Sequence, residues 1–151
     1  MANIVRFNTT STGPQVTFMT TGLIVANNTL SPLSSVTQVQ SSQLRIYADL
    51  ELLVGSTAAA FSLGGYVTVY KAPKMDGTNT VEQDRAELEP WTVCPVTTST
   101  TNAQHRVYRS NLVCPISDFN VLIDNQTGQT LTTGGGDNTL KIAFYDLNNN
   151  A

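Results

Sequence analysis

The most regular hydrophobic pattern in the chain runs from residue 43 to residue 54. Its apolar even positions are Leu44, Ile46, Ala48, Leu50, Leu52 and Val54, and the odd positions from Gln43 to Glu51 are polar or amphipathic. Because successive side chains of a strand point to opposite faces, this alternation predicts a long strand with one buried face. A helix would distribute the same apolar residues around its whole circumference.

Several other segments have strand-like patterns separated by turn residues. A second long strand is predicted within 58–72, strongest over 66–70, with Gly64-Gly65 indicating a bulge or a sharp bend before it. Residues 31–35, which include Pro32, are interpreted as a break between elements. The remaining predicted strands cover residues 4–7, 16–19, 23–26, 91–96, 103–109, 119–124 and 140–145.

Residues 80–89 differ from this pattern. Thr80 and Gln83 have the spacing of a helix capping box, and the segment is acidic, so a short surface helix is predicted near 80–89. The chain is therefore predicted to be all-β, a single jelly roll or β-sandwich of about eight antiparallel strands. We expect one domain overall, with an N-terminal arm and short strands over residues 1–40 and the jelly-roll core over 41–151.

Composition narrows the range of partners. Only 13% of the 151 residues are charged, the net charge is −3, and the eight Lys and Arg residues are scattered rather than clustered. Nucleic acids and anionic membranes are therefore disfavoured as partners. No signal peptide and no apolar segment of about 20 residues is present, so we expect a protein made in a cytoplasm. Cys94 and Cys114 are interpreted as small buried hydrophobes, with their pairing left open.

Catalytic patterns are weak throughout the chain. His105 is the only histidine, and no Gly-x-Ser-x-Gly elbow accompanies it. A metal site formed by Cys94, His105 and Cys114 lacks the usual ligand spacing, and Asp76-Gly77 is better explained as a turn than as a calcium loop. The acidic residues between Glu82 and Glu89 are expected to be solvated rather than hydrolytic. We therefore predict no catalytic residue, no cofactor and no metal.

Two stretches carry a resemblance to a known family. The first covers residues 65–73 and continues into Asp76-Gly77-Thr78-Asn79, and the second covers 119–128 and is followed by residues 138–142. This order resembles the jelly-roll capsid decoration (cement) proteins of tailed bacteriophages. In those proteins a strand that ends in an Asp-Gly-Thr-Asn turn is followed by an Asn-x-Thr-Gly hairpin and a final strand. The resemblance implies a structural virion protein without an active site. Such proteins form homotrimers on the outer capsid surface, bind the major capsid protein and stabilise the shell.

Two further expectations concern binding. An apolar N-terminal segment, formed by Asn3, Ile4, Val5, Arg6 and Phe7, is a candidate partner contact that could add a strand to a neighbouring sheet. The alternative function is a carbohydrate- or receptor-binding β-sandwich module of a phage tail or fibre. Its stacking aromatics would be Trp91 and Tyr108, although Trp91 is expected to pack in the core.

Overall fold

The computed structural model describes residues 4–6, 15–18, 24–31, 34–36, 47–54, 60–73, 88–96, 105–115, 119–132, 138–145 and 147–149. Within these residues the protein is all β. The strands are β1 (Ile4–Arg6), β2 (Gln15–Phe18), β3 (Ile24–Val25), β4 (Thr29–Leu30), β5 (Ser34–Val36), β6 (Tyr47–Val54), β7 (Tyr66–Pro73), β8 (Glu89–Pro95), β9 (His105–Val113), β10 (Phe119–Gln126), β11 (Leu131–Thr132), β12 (Thr139–Tyr145) and β13 (Leu147–Asn149).

Two antiparallel sheets form the body of the molecule. The first has the strand order β2-β12-β6-β9. The second has the order β4-β10-β7-β8, and β5 pairs with β10 beyond β4, so that β4 and β5 act as one interrupted edge strand. Two small two-stranded ladders, β1 with β13 and β3 with β11, complete the pairing among the described residues.

The strand order is that of a jelly roll. Along the chain the main strands alternate between the sheets, except that β7 and β8 are neighbours in the second sheet. The predicted all-β fold of about eight antiparallel strands is thus confirmed. Strands between residues 15 and 36 form edges of both sheets, so the sandwich draws on both predicted ranges, 1–40 and 41–151. The helix predicted near 80–89 falls largely outside the described residues, and Glu89 begins β8.

The main core lies between the two sheets. The even positions of β6 that the structure describes are fully buried, which confirms the predicted buried face: Ala48, Leu50, Leu52 and Val54. They share one hydrophobic cluster with Val67 and Val69 of β7 and with Ile123 of β10. Phe119 contacts Trp91 and Phe144 edge-on, with ring centroids 5.5 and 6.2 Å apart, so aromatic packing links the strands of both sheets.

The two central strands of the second sheet, β7 and β10, are buried on both faces over most of their length. Asn120, Leu122 and Asp124 point away from the main core yet are at most 5% exposed. Leu122 belongs to a second hydrophobic cluster with Tyr70, Ala72 and Leu88. The residue just before β8 therefore packs over the outer face of this sheet, whereas the odd positions of β6 in the first sheet stay partly exposed.

Strand β9 contains a bulge opposite Asp49 of β6. Ala48 pairs with Leu112 and Leu50 with Arg109, so Ser110 and Asn111 together oppose Asp49. Asn111 has a φ of 59°, and its backbone N–H donates to Asp49 Oδ1 at 3.1 Å. Because side chains alternate along a strand, the extra residue returns Leu112 to the inner face. The predicted strand 103–109 consequently extends to Val113.

The prediction of a break over residues 31–35 is only partly right, because Ser34–Val36 is a strand. Between β4 and β5 the sequence contains Pro32, which has no N–H to donate to a ladder. Ser31 bridges the gap: its N–H donates to Ile123 O at 2.8 Å, and its Oγ accepts from Ile123 N–H at 3.0 Å. A side-chain oxygen thus replaces a missing main-chain acceptor of the ladder.

Because the Ser31 Oγ acts as the acceptor for a main-chain N–H, replacing Ser31 should lower the stability of the fold. Ser31→Ala leaves the buried Ile123 N–H without its Oγ acceptor, so we expect the free energy of unfolding to fall by about 1–3 kcal/mol. Thr29→Val is the control, because it removes only an exposed hydroxyl bond to Ala26 O and should cost under about 0.5 kcal/mol. Urea denaturation measures both changes. Equal stabilities of the two variants would contradict the role given to Ser31.

Candidate binding surface

One end of the sandwich is formed by connections that cross between the sheets. β2 and β6 end there, β9 and β12 begin there, and in the second sheet the start of β7 pairs with the ends of β8 and β10. We call the described residues at this end, 24–28, 60–66 and 125–132, the loop end. Sequence reasoning did not identify it as a surface, although the bend at Gly64-Gly65 was correctly predicted.

The polar centre of the loop end is the corner formed by Asn125 and Thr127, which are both fully buried. Asn125 Nδ2 donates to Val25 O at 2.9 Å and to Gln129 O at 2.7 Å. Its Oδ1 accepts from the Thr127 hydroxyl at 2.7 Å and from the Thr127 N–H at 3.1 Å. One amide therefore satisfies several buried groups where the chain leaves the second sheet for the first. The motif is a corner between sheets, and the hairpin expected from the resemblance is wrong.

A tight turn packs against this corner. Gly65 N–H donates to Ser62 O at 2.9 Å, with Leu63 and Gly64 as the central residues and Gly64 at a φ of +75°. The turn is tied to the corner because Ser62 N–H donates to Thr127 O at 2.8 Å. Gly128 also has a positive φ, +83°, and a Cβ there would lie 1.9 Å from Ser62 Oγ. Only glycine fits this position without displacing the turn.

Further hydrogen bonds join three connections at the loop end. Asn27 Oδ1 accepts from Gly128 N–H at 2.8 Å, and Asn28 Oδ1 accepts from Gln126 Nε2 at 2.9 Å. Gln129 Nε2 donates to Ala60 O at 3.1 Å. Segments distant in the chain are thus fixed to one another by neutral polar groups. None of the described residues of the loop end carries a charge.

Apolar side chains project from this framework. Leu63, at the tip of the turn, is 91% exposed, and Ile24 is 63% exposed. Tyr66, at the start of β7, is 39% exposed. Half of the six exposed large hydrophobic residues in the described part of the chain therefore lie at the loop end.

A lateral side of the sandwich, between β8 and β9, is closed by side chains. Trp91 Nε1 donates to Val113 O at 2.8 Å, and Arg109 donates to Val93 O through Nε at 3.1 Å and Nη2 at 3.0 Å. These bonds occupy edge carbonyls that another strand could otherwise pair with. Trp91 is 8% exposed, which confirms the expected core position and argues against it as a sugar-stacking residue.

The outer face of the first sheet presents Tyr108. Its side chain is half exposed, and its hydroxyl donates to Asp49 on the neighbouring strand β6. Beside it Arg106 Nη1 lies 2.7 Å from Glu51 Oε2. The hydrogen bond to Asp49 joins Tyr108 of β9 to the neighbouring strand β6.

The N-terminal candidate contact residues form part of a local ladder. Ile4, Val5 and Arg6 pair antiparallel with Asn149, Asn148 and Leu147, respectively. Asn3 and Phe7 lie outside the described residues. The segment is therefore a strand, paired here with the C-terminal part of its own chain.

The residues considered for chemistry are dispersed. Cys94 and Cys114 are both buried, and neither forms a disulfide in this structure. His105 lies in β9, where its ring contacts Phe61 edge-on at 5.5 Å. In the described ranges, no three His, Cys, Asp or Glu side chains come together as a group able to hold a metal. Nor does any described helix have the length and hydropathy needed to cross a membrane.

No protein-family model, curated protein or solved structure matches this chain. Its function is therefore inferred from the strand order and from the chemistry of the surfaces described above.

Gly64 and Gly128, the two glycines with positive φ among the described residues, allow a matched test of the corner. Gly64→Ala adds a Cβ that meets nothing within 4 Å, so it should cost only the conformational strain of about 1 kcal/mol. Gly128→Ala adds the contact with Ser62 to the same strain and should cost about 3 kcal/mol. Urea denaturation followed by Trp91 fluorescence measures both. Equal losses in the free energy of unfolding would show that the Ser62–Gly65 turn moves away from the added Cβ at no cost. The turn would then not be packed rigidly against the corner.

Cys94 makes stability depend on pH. Burial raises the pKa of its thiol from 9.0 to about 11, and the nearby charge of Arg109 lowers it by a smaller amount. The unfolded chain loses the thiol proton first, so the stabilisation is complete below pH 9 and is lost as pH rises from 9 to about 11. The loss is about 1.4 kcal/mol per pH unit.

Urea denaturation of the wild type and Cys94→Ala over a pH series tests this. We expect parallel stability curves below the ordinary thiol pKa and a steeper decline for the wild type above it. Parallel curves throughout the series would contradict ionisation of Cys94 as the cause.

Proposed function

We propose that the protein is a structural virion protein of a tailed bacteriophage, a capsid decoration or cement protein. It binds the outside of the shell as a homotrimer, contacts the major capsid protein and stabilises the shell mechanically. The observation that carries the proposal is the jelly-roll strand order of the two sheets, an architecture that viral capsid proteins share with lectins and cupins.

The position of the family-like stretches supports this choice. Residues 66–73 and 119–126 are β7 and β10, which pair residue by residue from Tyr66 opposite Gln126 to Pro73 opposite Phe119. The Asn125–Gly128 corner follows directly and packs on Gly65, where an added Cβ would lie 3.1 Å from the Thr127 backbone. The two main stretches of the resemblance are therefore neighbouring strands of one sheet, whereas residues 139–142 lie in β12 of the other sheet.

The interior favours a structural role over a cupin-like one. Between the sheets the described side chains that face each other are predominantly apolar and closely buried. A rigid β-sandwich suits a protein that acts in many copies, because trimerisation raises the effective concentration of each modest contact. The β1–β13 ladder is proposed as an additional contact, since a two-stranded ladder leaves outer edges to which a neighbour's strand can add.

A second candidate function is carbohydrate or receptor binding by a tail or fibre module. The observation that favours it is the half-exposed Tyr108 side chain, tethered to Asp49 and flanked by the Arg106–Glu51 ion pair. A sugar ring has an apolar face, which can stack on an aromatic ring, and a rim of hydroxyl groups, which can hydrogen-bond to charged side chains. The buried position of Trp91 removes the other aromatic from this site.

Light scattering and sedimentation distinguish these candidates. For a decoration protein we expect a solution mass about three times the 16.3 kDa of the chain, and co-sedimentation with DNA-free heads of the phage that carries the gene. A monomer that stays in the supernatant, and that binds glycans through Tyr108, would instead favour the carbohydrate-binding module. Loss of glycan binding in Tyr108→Ala with an unchanged circular dichroism spectrum identifies that outcome.

A further inference from the structure

Three side-chain oxygen atoms converge on one point where β10 meets the turn before β4. Gln126 Nε2 occupies this point and lies 2.9 Å from Asn28 Oδ1 and 3.2 Å from each carboxylate oxygen of Asp124. We call these three side chains the oxygen cluster. Asn28 and Gln126 are 98 positions apart in the chain, so the cluster is a product of the fold and has no sequence motif.

The point at the centre of the oxygen cluster has the surroundings of a cation site. An amide nitrogen carries two hydrogens, so it cannot make three good hydrogen bonds, and the contacts of Gln126 with Asp124 are at the long limit for such bonds. Nε2 is equidistant from the two carboxylate oxygens, as a cation is in symmetric bidentate coordination. Carboxylate and amide oxygens are the ligands that a hard cation such as Ca²⁺ prefers.

Two further oxygen atoms extend this ligand set. A half-turn of the Gln126 amide replaces Nε2 by Oε1, which converts the donor at the centre into a fourth ligand oxygen. Thr68 of β7 lies directly opposite Asp124, and the Cβ atoms of such pairs are about 4.5–5.5 Å apart, so its hydroxyl supplies a fifth. Thr68 and Asp124 are buried, whereas Asn28 is exposed, so water completes the coordination from the Asn28 side.

Calcium fits this ligand set better than magnesium or zinc. Ca²⁺ takes about six to eight oxygen ligands in a flexible geometry, which five protein oxygens and a few waters provide. Mg²⁺ requires a near-ideal octahedron of closer ligands, and Zn²⁺ prefers nitrogen and sulfur. Because the set contains one carboxylate, we expect a weak site, with a Kd on the order of 10⁻⁴ to 10⁻³ M.

We propose that the oxygen cluster, completed by Thr68, is a calcium-binding site that ties the turn at Asn28 to β10. Rotation of the Gln126 amide is the conformational change that binding requires. In the described part of the chain, groups of His, Cys, Asp and Glu able to hold a metal are absent, but two of the ligands here are amides, which such groups do not include. The site goes beyond the proposed attachment to a shell and does not depend on it.

Two asparagines at positive φ provide a matched pair of variants for the test. Asn28 has a φ of 62°, and Asn111, in β9 of the other sheet, has a φ of 59°. Because glycine adopts positive φ readily, Asn28→Gly removes a ligand oxygen without strain, and Asn111→Gly makes the same change away from the site. Thermal unfolding of the wild type and both variants is measured in EDTA, in about 10 mM calcium chloride and in equimolar magnesium chloride.

We expect calcium to raise the Tm of the wild type and of Asn111→Gly by about 3 °C or more, and magnesium to raise it less. Asn28→Gly should gain less than the wild type, and isothermal titration calorimetry should give it a Kd for calcium roughly fivefold weaker, because a ligand is lost. The proposal would be overturned by no calcium shift in the wild type, by equal shifts in the two glycine variants, or by an equal shift with magnesium.

A gain in affinity separates a calcium site from a simple network of hydrogen bonds. Gln126→Glu places a second carboxylate beside Asp124, so in EDTA the repulsion between the two charges should lower the Tm. In calcium the added charge should tighten binding by roughly tenfold and reverse much of that loss. A loss of equal size with and without calcium would contradict the proposal, because it would limit the Gln126 amide to donating hydrogen bonds.

Discussion

The structure depends above all on one strip of apolar side chains along β6. Ala48, Leu50, Leu52 and Val54 are fully buried between the two sheets, and each large side chain contributes roughly 1.5–3 kcal/mol by leaving water. Because β6 lies between β12 and β9, its register determines theirs. A slip of one residue in β6 would expose the whole strip, and the bulge in β9 opposite Asp49 returns Leu112 to the inner face beside Ala48.

Where the chain crosses between the sheets, hydrogen bonds between polar groups replace apolar packing as the main interaction. A jelly roll crosses several times, and the backbone groups at each crossing need partners because a buried unpaired group costs about 1–3 kcal/mol. At the loop end the Asn125 amide supplies several of these partners, and Gly128 lets the Ser62–Gly65 turn approach closely. The same network that satisfies the backbone thus makes the surface around Leu63 rigid.

The edges and ends of the sandwich differ in what they offer a partner. Trp91 and Arg109 occupy carbonyls along the β8 and β9 side, which disfavours strand addition there. The loop end is neutral and carries exposed apolar side chains, and β1 with β13 forms a separate small ladder. The surfaces of the sandwich therefore differ in the groups that they present to a partner.

The amino-acid sequence by itself determined the all-β class, the buried face of β6 and the core position of Trp91, because alternation and residue type are local properties. The approximate positions of most long strands followed from the same signal. Only the tertiary structure decided the strand order, the role of Ser31 beside Ile123 and the closeness of Ser62 to Gly128. Those features arise from contacts between residues far apart in the chain, and no periodicity within a single segment encodes them.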